Sequence, residues 1–505
     1  MSLPRLIITG ASGFIGRQLL DHFKDDFKIV GLARRSQLHS GAPVHNNITW
    51  YQVDIADGDS LATAFDYIRK SGGADYLVHL AAHYDFTGED DPEYWRTNVH
   101  GMRNVLDLSR KLDLKRFIFT SSLAACAFPP HGKVLTETSP PDGDHVYAVT
   151  KRIGEEMLAE FDEIPSCIIR LAALFSDWCE YAPLYIFLET WLSEAWNSNI
   201  LGGRGTTAIP YMHVREMGPF VRKIMEANDT LDQREVVIAS PSETLSHKTL
   251  YDLANIDYYG QRRRPILMPK ALALVGTWGR DLIGRLLGNR PFERPWMISY
   301  LDTNLAADAS HTYNRLGWRP RKRLLLQRRM SFMVEYRRTN PNEWHRLNRA
   351  ALKEVHLRDN LRINGLLERH LDTICNAFLD QMLAPASISR FPSYQNVARD
   401  RLEWRFMILL RHLQSSIRTR DRGLFTTYCS DLAEKRLMQG FEIRELVGAL
   451  LTINAICVDV LRSDPDGEDL AAAIHDHLSM TIQFGCDQMV EIYEEVGGEE
   501  LDWEF

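Results

Sequence analysis

The sequence predicts an α/β fold, a doubly wound parallel sheet with a small substrate subdomain, followed by a separate all-α helical bundle. Short β-branched runs alternate with longer helical patterns over roughly the first 180 residues, the pattern of strand–helix–strand units. A glycine-rich turn, "TGASGFIG", joins the first run to the first helical stretch. Beyond residue 341 strand signals stop, and apolar residues keep helical spacing through most of the remainder of the 505 residues.

Taken in order, the strands are "RLIITG", "FKIVGLA", "ITWYQVD", "ADYLVHLAA", "KRFIFTSS" and "SCIIRLAAL". Each is a short run rich in β-branched and aromatic residues, and helical stretches between them require parallel pairing through crossovers. From about residue 181 the pattern loosens into "EYAPLYIFLETWLSEAWNSNILGG" and "IPYMHVREMGPFVRKIMEA". This reads as the substrate subdomain, which with a basic cap spans about 181–300 of a first domain at 1–335. The second domain is drawn at 341–505, where Leu367, Leu371, Ile374 and Phe378, and later Leu446, Val447 and Leu450, share helix faces. Four to six helices are expected there.

A composition of 45% hydrophobic and 25% charged residues is that of a globular protein. The chain enters a strand within a few residues, without the pattern of a signal peptide, so a cytoplasmic location is expected. No uncharged apolar run reaches about 18 residues, so no transmembrane segment is expected. The seven cysteines are scattered, with no C-x-x-C pair, and read as reduced core thiols rather than disulfide partners or metal ligands. Net charge is −8, yet residues 260–340 hold 17 Lys and Arg against 5 Asp and Glu. There "GQRRRPILMPKALALVGTWGRDLIGRLLGNRPFERPW" interleaves cations with apolar residues. It suits a substrate cap, a dimer contact, or peripheral contact with an anionic membrane through 260–295. With acidic net charge and no binding motif, no nucleic-acid partner is expected.

Gly10, Gly13 and Gly16 stand between strand and helix, where Phe14 and Ile15 begin the helix. Glycines there let the backbone turn tightly and aim helix amides at a dinucleotide pyrophosphate, as in Rossmann-like sheets. At the end of the second strand, Arg34 and Arg35 stand where an acid would bind the ribose of NAD, with Arg17 nearby. NADP(H) is therefore favoured over NAD(H). Farther on, "HVYAVTKRIGEE" places Tyr147 and Lys151 on one helix face. An ammonium there lowers the phenol pKa from about 10 and makes it a usable acid and base.

"TGASGFIG", "VDI", "HLAA", "NVHGMRNVL", "FTSS" and "YAVTK" in this order resemble the extended short-chain dehydrogenase/reductases, the epimerase/dehydratase-like group, over about 3–335. The resemblance implies that Lys151 also holds the nicotinamide ribose and that Ser122 bonds the substrate oxygen, with Ser121 the alternative. It further implies that Asn98 supports the site, Asp54 and Ile55 meet the adenine, and Ala81 and Ala82 line the adenosine channel. Leu123-Ala124-Ala125 stands where dehydratases carry an Asp-Glu pair, and the Val-Tyr-Gly of sugar-nucleotide epimerases is missing. "AAHYDFTGED" and the Trp- and Tyr-rich stretch after residue 175 are similar to the hydroxysteroid-dehydrogenase and ketone-reductase branch. The expected enzyme interconverts a ketone and a secondary alcohol on a largely apolar small molecule with NADP(H). The alternatives are a sugar-nucleotide epimerase, or a nucleotide-sensing regulator signalling through its helical domain. "EKRLMQGFEIRELVGALLTINAICVDVL" resembles Rsb-type helical sensor domains, implying a regulatory or oligomerising bundle and a homo-oligomer.

Overall fold

The computed structural model describes residues 3–86, 88–286, 292–352, 359–395 and 397–497. It divides into two compact units, Met1–His356 and Leu357–Phe505.

The first unit is built on a seven-stranded sheet. Six strands are those expected: β1 (Arg5–Thr9), β2 (Lys28–Ala33), β3 (Ile48–Gln52), β4 (Tyr76–His79), β5 (Arg116–Ser122) and β6 (Ser166–Leu171). The seventh, Arg234–Ala239, adds beyond β6, and the order across the sheet from there is β6, β5, β4, β1, β2, β3. Every pairing is parallel. Because side chains alternate along a strand, Leu6 and Ile8 enter one core with Leu19, Phe23 and Phe220, while Ile7 enters the other with Phe65, Val105 and Met157. A sheet covered on both faces has nearly continuous apolar strands, and β4 and β6 are buried along their whole length. β1 pairs β2 on one side and β4 on the other. The crevice at the carboxyl ends of β1 and β4 is thus the switch point at which such sheets bind ligands.

The substrate subdomain packs the helices Ala182–Trp191 and His247–Tyr259 around Leu184, Leu188, Leu250 and Tyr251. Two further helices, Leu326–Thr339 and Pro341–Leu352, belong to this core through Met330, Met333 and Trp344. Trp344 is completely buried, and its indole donates to Glu189 Oε1 at 3.0 Å, which Arg337 also meets at 2.7 Å. The compact unit therefore runs past the boundary at 335–341 read from the sequence, because the apolar face of Pro341–Leu352 is covered by the subdomain.

The second unit is all helical. Its long helices are Asp359–Arg369, Leu371–Leu383, Arg399–Thr419, Gly423–Met438, Ile443–Ser463 and Met480–Gly497. They enclose one core containing Phe378, Phe406, Leu413, Phe425 and Leu450. Ile443–Ser463 is long and apolar enough to cross a bilayer by composition, but Leu446, Val447, Leu450, Ile453 and Leu461 are buried in the bundle. All seven cysteines are free and buried.

Candidate active site

At the switch point, Gly10 has φ +68°, and an added Cβ would lie 2.7 Å from the Ala81 amide nitrogen. The same addition at Gly16 would reach the Gly10 carbonyl at 2.5 Å. Only glycine lets the turn, the helix α1 (Phe14–Phe23) and the Leu80–Ala81 backbone approach so closely. Gly13 precedes α1 in extended conformation, and no side chain caps the helix. The amides of its first turn therefore remain available to an anion. Thr9 Oγ1 ties the far wall in place, accepting from the Leu80 and Ala81 amides at 3.2 and 3.3 Å. Ala82 follows, half-buried, in the same wall.

The adenosine end is more mixed in charge than the sequence suggests. Arg35 Nη2 donates to the Ser12 carbonyl in the glycine turn at 3.1 Å. Arg34 instead lies 3.6 Å from Glu93, a buried carboxylate not singled out from the sequence. Arg96 approaches both Glu93, at 3.8 Å, and Asp54, at 3.6 Å. Asp54 Oδ1 also accepts from the Ala56 amide at 3.0 Å. Ile55 has a buried side chain packed against Gly101, and its carbonyl accepts from Asn104 at 3.0 Å. Any contact it offers a cofactor is through its backbone. Arg17 is directed to the Ser40 carbonyl at 2.9 Å, and Ile15 packs on the core.

Tyr147 and Lys151 lie on the first turns of the helix Val146–Glu160, which is capped by His145 Nδ1 accepting from the Ala148 amide at 3.2 Å. Lys151 is buried, its Nζ donating to the Thr120 carbonyl at 2.7 Å and standing 5.7 Å from the Tyr147 ring centre. Burial pushes its pKa down to about 8, while nearby Glu155 acts in the other direction. The two serines at the end of β5 differ in their hydrogen bonds. Ser121 Oγ donates to Glu155 at 2.6 Å in a buried network with Arg170. Ser122, half-buried, accepts only from the Ala124 amide at 3.1 Å among the described bonds.

Asn98 occupies a widened helical segment, Tyr94–Gly101. Its Oδ1 accepts from the His83 amide at 2.6 Å, and its Nδ2 donates to the His83 carbonyl and Thr150 Oγ1, each at 3.0 Å. It ties the loop after β4 to the Tyr147 helix and so acts as a positioning residue. That loop supplies features the strand pattern did not reveal. The Tyr84 ring lies 4.3 Å from that of Tyr147, with His145 stacked at 6.2 Å on it. Trp296 stands 6.3 Å from His145, and Phe86 lies 5.7 Å from Phe292 and 6.0 Å from Tyr181. Tyr147 is thus flanked by aromatic rings from the loop and helix cap, and neighbouring walls come from the subdomain and basic cap. Behind the wall, His83, Asp85 and Asp91 gather ligand-type atoms within 4.8 Å of one another. Their bonds include His83 Nε2 with Asp85 Oδ2 at 3.3 Å and the Tyr94 hydroxyl donating to Asp85 Oδ1 at 3.2 Å.

A model of the NAD dependent epimerase/dehydratase family matches residues 6–239. The chain is 32% identical over 292 residues to N-acetyl-alpha-D-glucosaminyl-diphospho-ditrans,octacis-undecaprenol 4-epimerase of Escherichia coli O157:H7, covering 56% of this chain and 81% of that protein. It is 30% identical over 196 residues to 3 beta-hydroxysteroid dehydrogenase/Delta 5-->4-isomerase of Monkeypox virus, covering 36% of this chain and 52% of the relative. The match thus spans about half the length of the viral protein. Among solved structures, the NAD complex of Bordetella bronchiseptica WbmG superposes with a TM-score of 0.51 at 20% identity, over 67% of this chain and 95% of that one. This likeness establishes the shared fold.

Proposed function

The chain belongs to the NAD-dependent epimerase/dehydratase family of extended short-chain dehydrogenase/reductases, and on that premise we propose that it interconverts a ketone and a secondary alcohol on a largely apolar molecule, using NADP(H). The observation that carries this reading is the Tyr147 ring, neighboured by buried Lys151 and by the rings of Tyr84 and His145. Bound at the glycine turn, the nicotinamide cofactor supplies or accepts the hydride. The Tyr147 hydroxyl gives its proton to the carbonyl oxygen in one direction and receives it in the other. Ser122 Oγ donates to that same oxygen and shares its developing charge. One Lys151 N–H donates to the Thr120 carbonyl, and the remaining donors of the ammonium stabilise the tyrosinate. Apolar walls exclude water and favour substrates with little hydrogen-bonding capacity.

Leu123 and Ala125 are buried after the serine, supplying no acid–base pair for elimination. A second reading, epimerisation of a lipid-linked sugar, draws on the 81% coverage of the undecaprenol-linked 4-epimerase. It uses the same tyrosine but returns hydride to the same carbon, with no net cofactor consumption. The preference for NADP(H) is supported by Arg35 at the glycine turn. Arg35→Asp is expected to weaken NADPH binding more than NADH binding; equal loss of both would remove that preference.

The deciding variant is Tyr147→Phe. Turnover of apolar ketones should fall roughly 10²–10⁴-fold with NADPH binding retained, and unchanged turnover would refute the assignment. Racemisation of a carbinol centre without a change in nicotinamide absorbance would favour the epimerase reading.

A further inference from the structure

The basic cap carries a second, exposed apolar surface. Its helix, Lys270–Leu286, is covered on one stripe, where Ala273, Asp281 and Gly284 are buried. At about 100° per residue, Val275, Trp278 and Leu282 fall on the opposite side of the helix, with Leu272, Leu274 and Ile283 flanking them. All six are exposed, Val275 by 70% and Trp278 by 61%. Among the described residues nothing covers this apolar face, and an exposed patch of this kind marks an interaction surface. It extends beyond the helix. Ile266 and Leu267, in the preceding strand, are exposed, and the Ile266 amide donates at 2.7 Å to Asn199, three residues past Trp196, which is 84% exposed.

Charge selects the occupant. Exposed Arg262 and Arg264 lead into the apolar strand, while Lys270 and Arg280 edge the covered stripe of the helix, Arg280 lying 3.6 Å from Glu293, and Asp281 is buried in a 2.9 Å ion pair with Arg294. A second copy of the chain docked through this same face about a two-fold axis would bring like charges together. An anionic bilayer instead neutralises the cations, takes up the aliphatic side chains at the headgroup boundary, and seats tryptophans at the interface. The structure assigns Lys270–Leu286 and the strand Ile266–Met268 to docking on an anionic membrane surface. The cap's interior connects this face to the reactive tyrosine. Lys270 donates to the Ser299 carbonyl at 2.9 Å, and the Asp281–Arg294 pair anchors the segment bearing Trp296, beside His145.

The test is co-sedimentation of the full chain with phosphatidylcholine vesicles, with and without phosphatidylglycerol, and with no substrate present. Its outcome is therefore independent of the hydride chemistry. Wild type should sediment with the anionic vesicles, lose binding as salt rises, and shift its tryptophan emission to the blue. The triple variant Val275→Asp/Trp278→Asp/Leu282→Asp should stay in solution. Arg262→Glu/Arg264→Glu should weaken binding at least about tenfold, and both variants should still bind NADPH. Wild type remaining in the supernatant, equal binding to neutral vesicles, or unimpaired sedimentation of the triple variant would overturn the assignment. So would a wild-type dimer that this variant disperses in the absence of lipid binding.

Discussion

The two units bury ionisable groups for different ends. In the first, Lys151 sits at the carboxyl end of the sheet with its pKa pressed down to about 8 by burial. In the second, Asp464 receives His370 Nε2 at 2.6 Å and Arg369 Nη1 at 3.0 Å, and the His370 bond leads in pulling its pKa down to about 2. A lowered lysine pKa means that folding disfavours the charge, whereas a lowered carboxylate pKa means that folding favours it. Lys151 is therefore held at the expense of stability, and Asp464 contributes to stability. The same contrast separates Ser122, with a single described bond from a neighbouring amide, from Asn360, whose amide donates to the Ile417 and Arg418 carbonyls at a helix end. Groups left with donor capacity beside a cleft have chemistry to do; fully matched groups hold helices together.

Substitution turns the contrast into a double dissociation. Lys151→Met should have the largest effect, a loss of turnover of about 10³-fold, without a fall in melting temperature at pH 7. The sign follows from its depressed pKa: the cost of burying the cation is full below about 8 and is relieved as pH rises above it. Wild-type turnover should correspondingly decline above about pH 8 as the ammonium is lost, and kinetics across pH 6–10 would show it. A marked drop in melting temperature would mean that Lys151 is structural. Ser122→Ala comes next, with a loss of about 10- to 100-fold in kcat and stability unchanged, whereas Ser121→Ala would disturb the buried Glu155–Arg170 pair and lower stability. The smallest effect is expected in the helical unit. The depressed pKa of Asp464 contributes stability above its ordinary value of 3.8, and that contribution is lost as pH falls through about 2. His370→Ala should reduce this acid sensitivity, seen by thermal melts between pH 5 and pH 2, and leave turnover alone.

Much of this was legible in the sequence because it rests on local patterns. The six expected strands, the glycine turn and the Tyr147–Lys151 spacing depend on periodicity or on contacts between near neighbours. What escaped depends on tertiary placement. The strand "REVVIA" at 234–239 follows the irregular subdomain and joins the sheet only by pairing with β6. The change in pattern after residue 341 assigned Pro341–Leu352 to the helical second domain, and Trp344, buried against the subdomain, places it in the first unit. Glu93 looked like one acid among several in "GEDDPEYW", and only the fold brings it to Arg34. The "AAHYDFTGED" aromatics hinted at an apolar pocket, but the tilted packing of Tyr84 against Tyr147 requires the loop that Asn98 fastens.

The most direct test of the reaction is transfer of deuterium from NADPH labelled at the reactive nicotinamide carbon to a panel of apolar ketones, followed by mass spectrometry of the alcohols. The label is predicted at the carbon bearing the new hydroxyl, and only when Tyr147 is present. Unlabelled products throughout, with NADPH demonstrably bound, would contradict it.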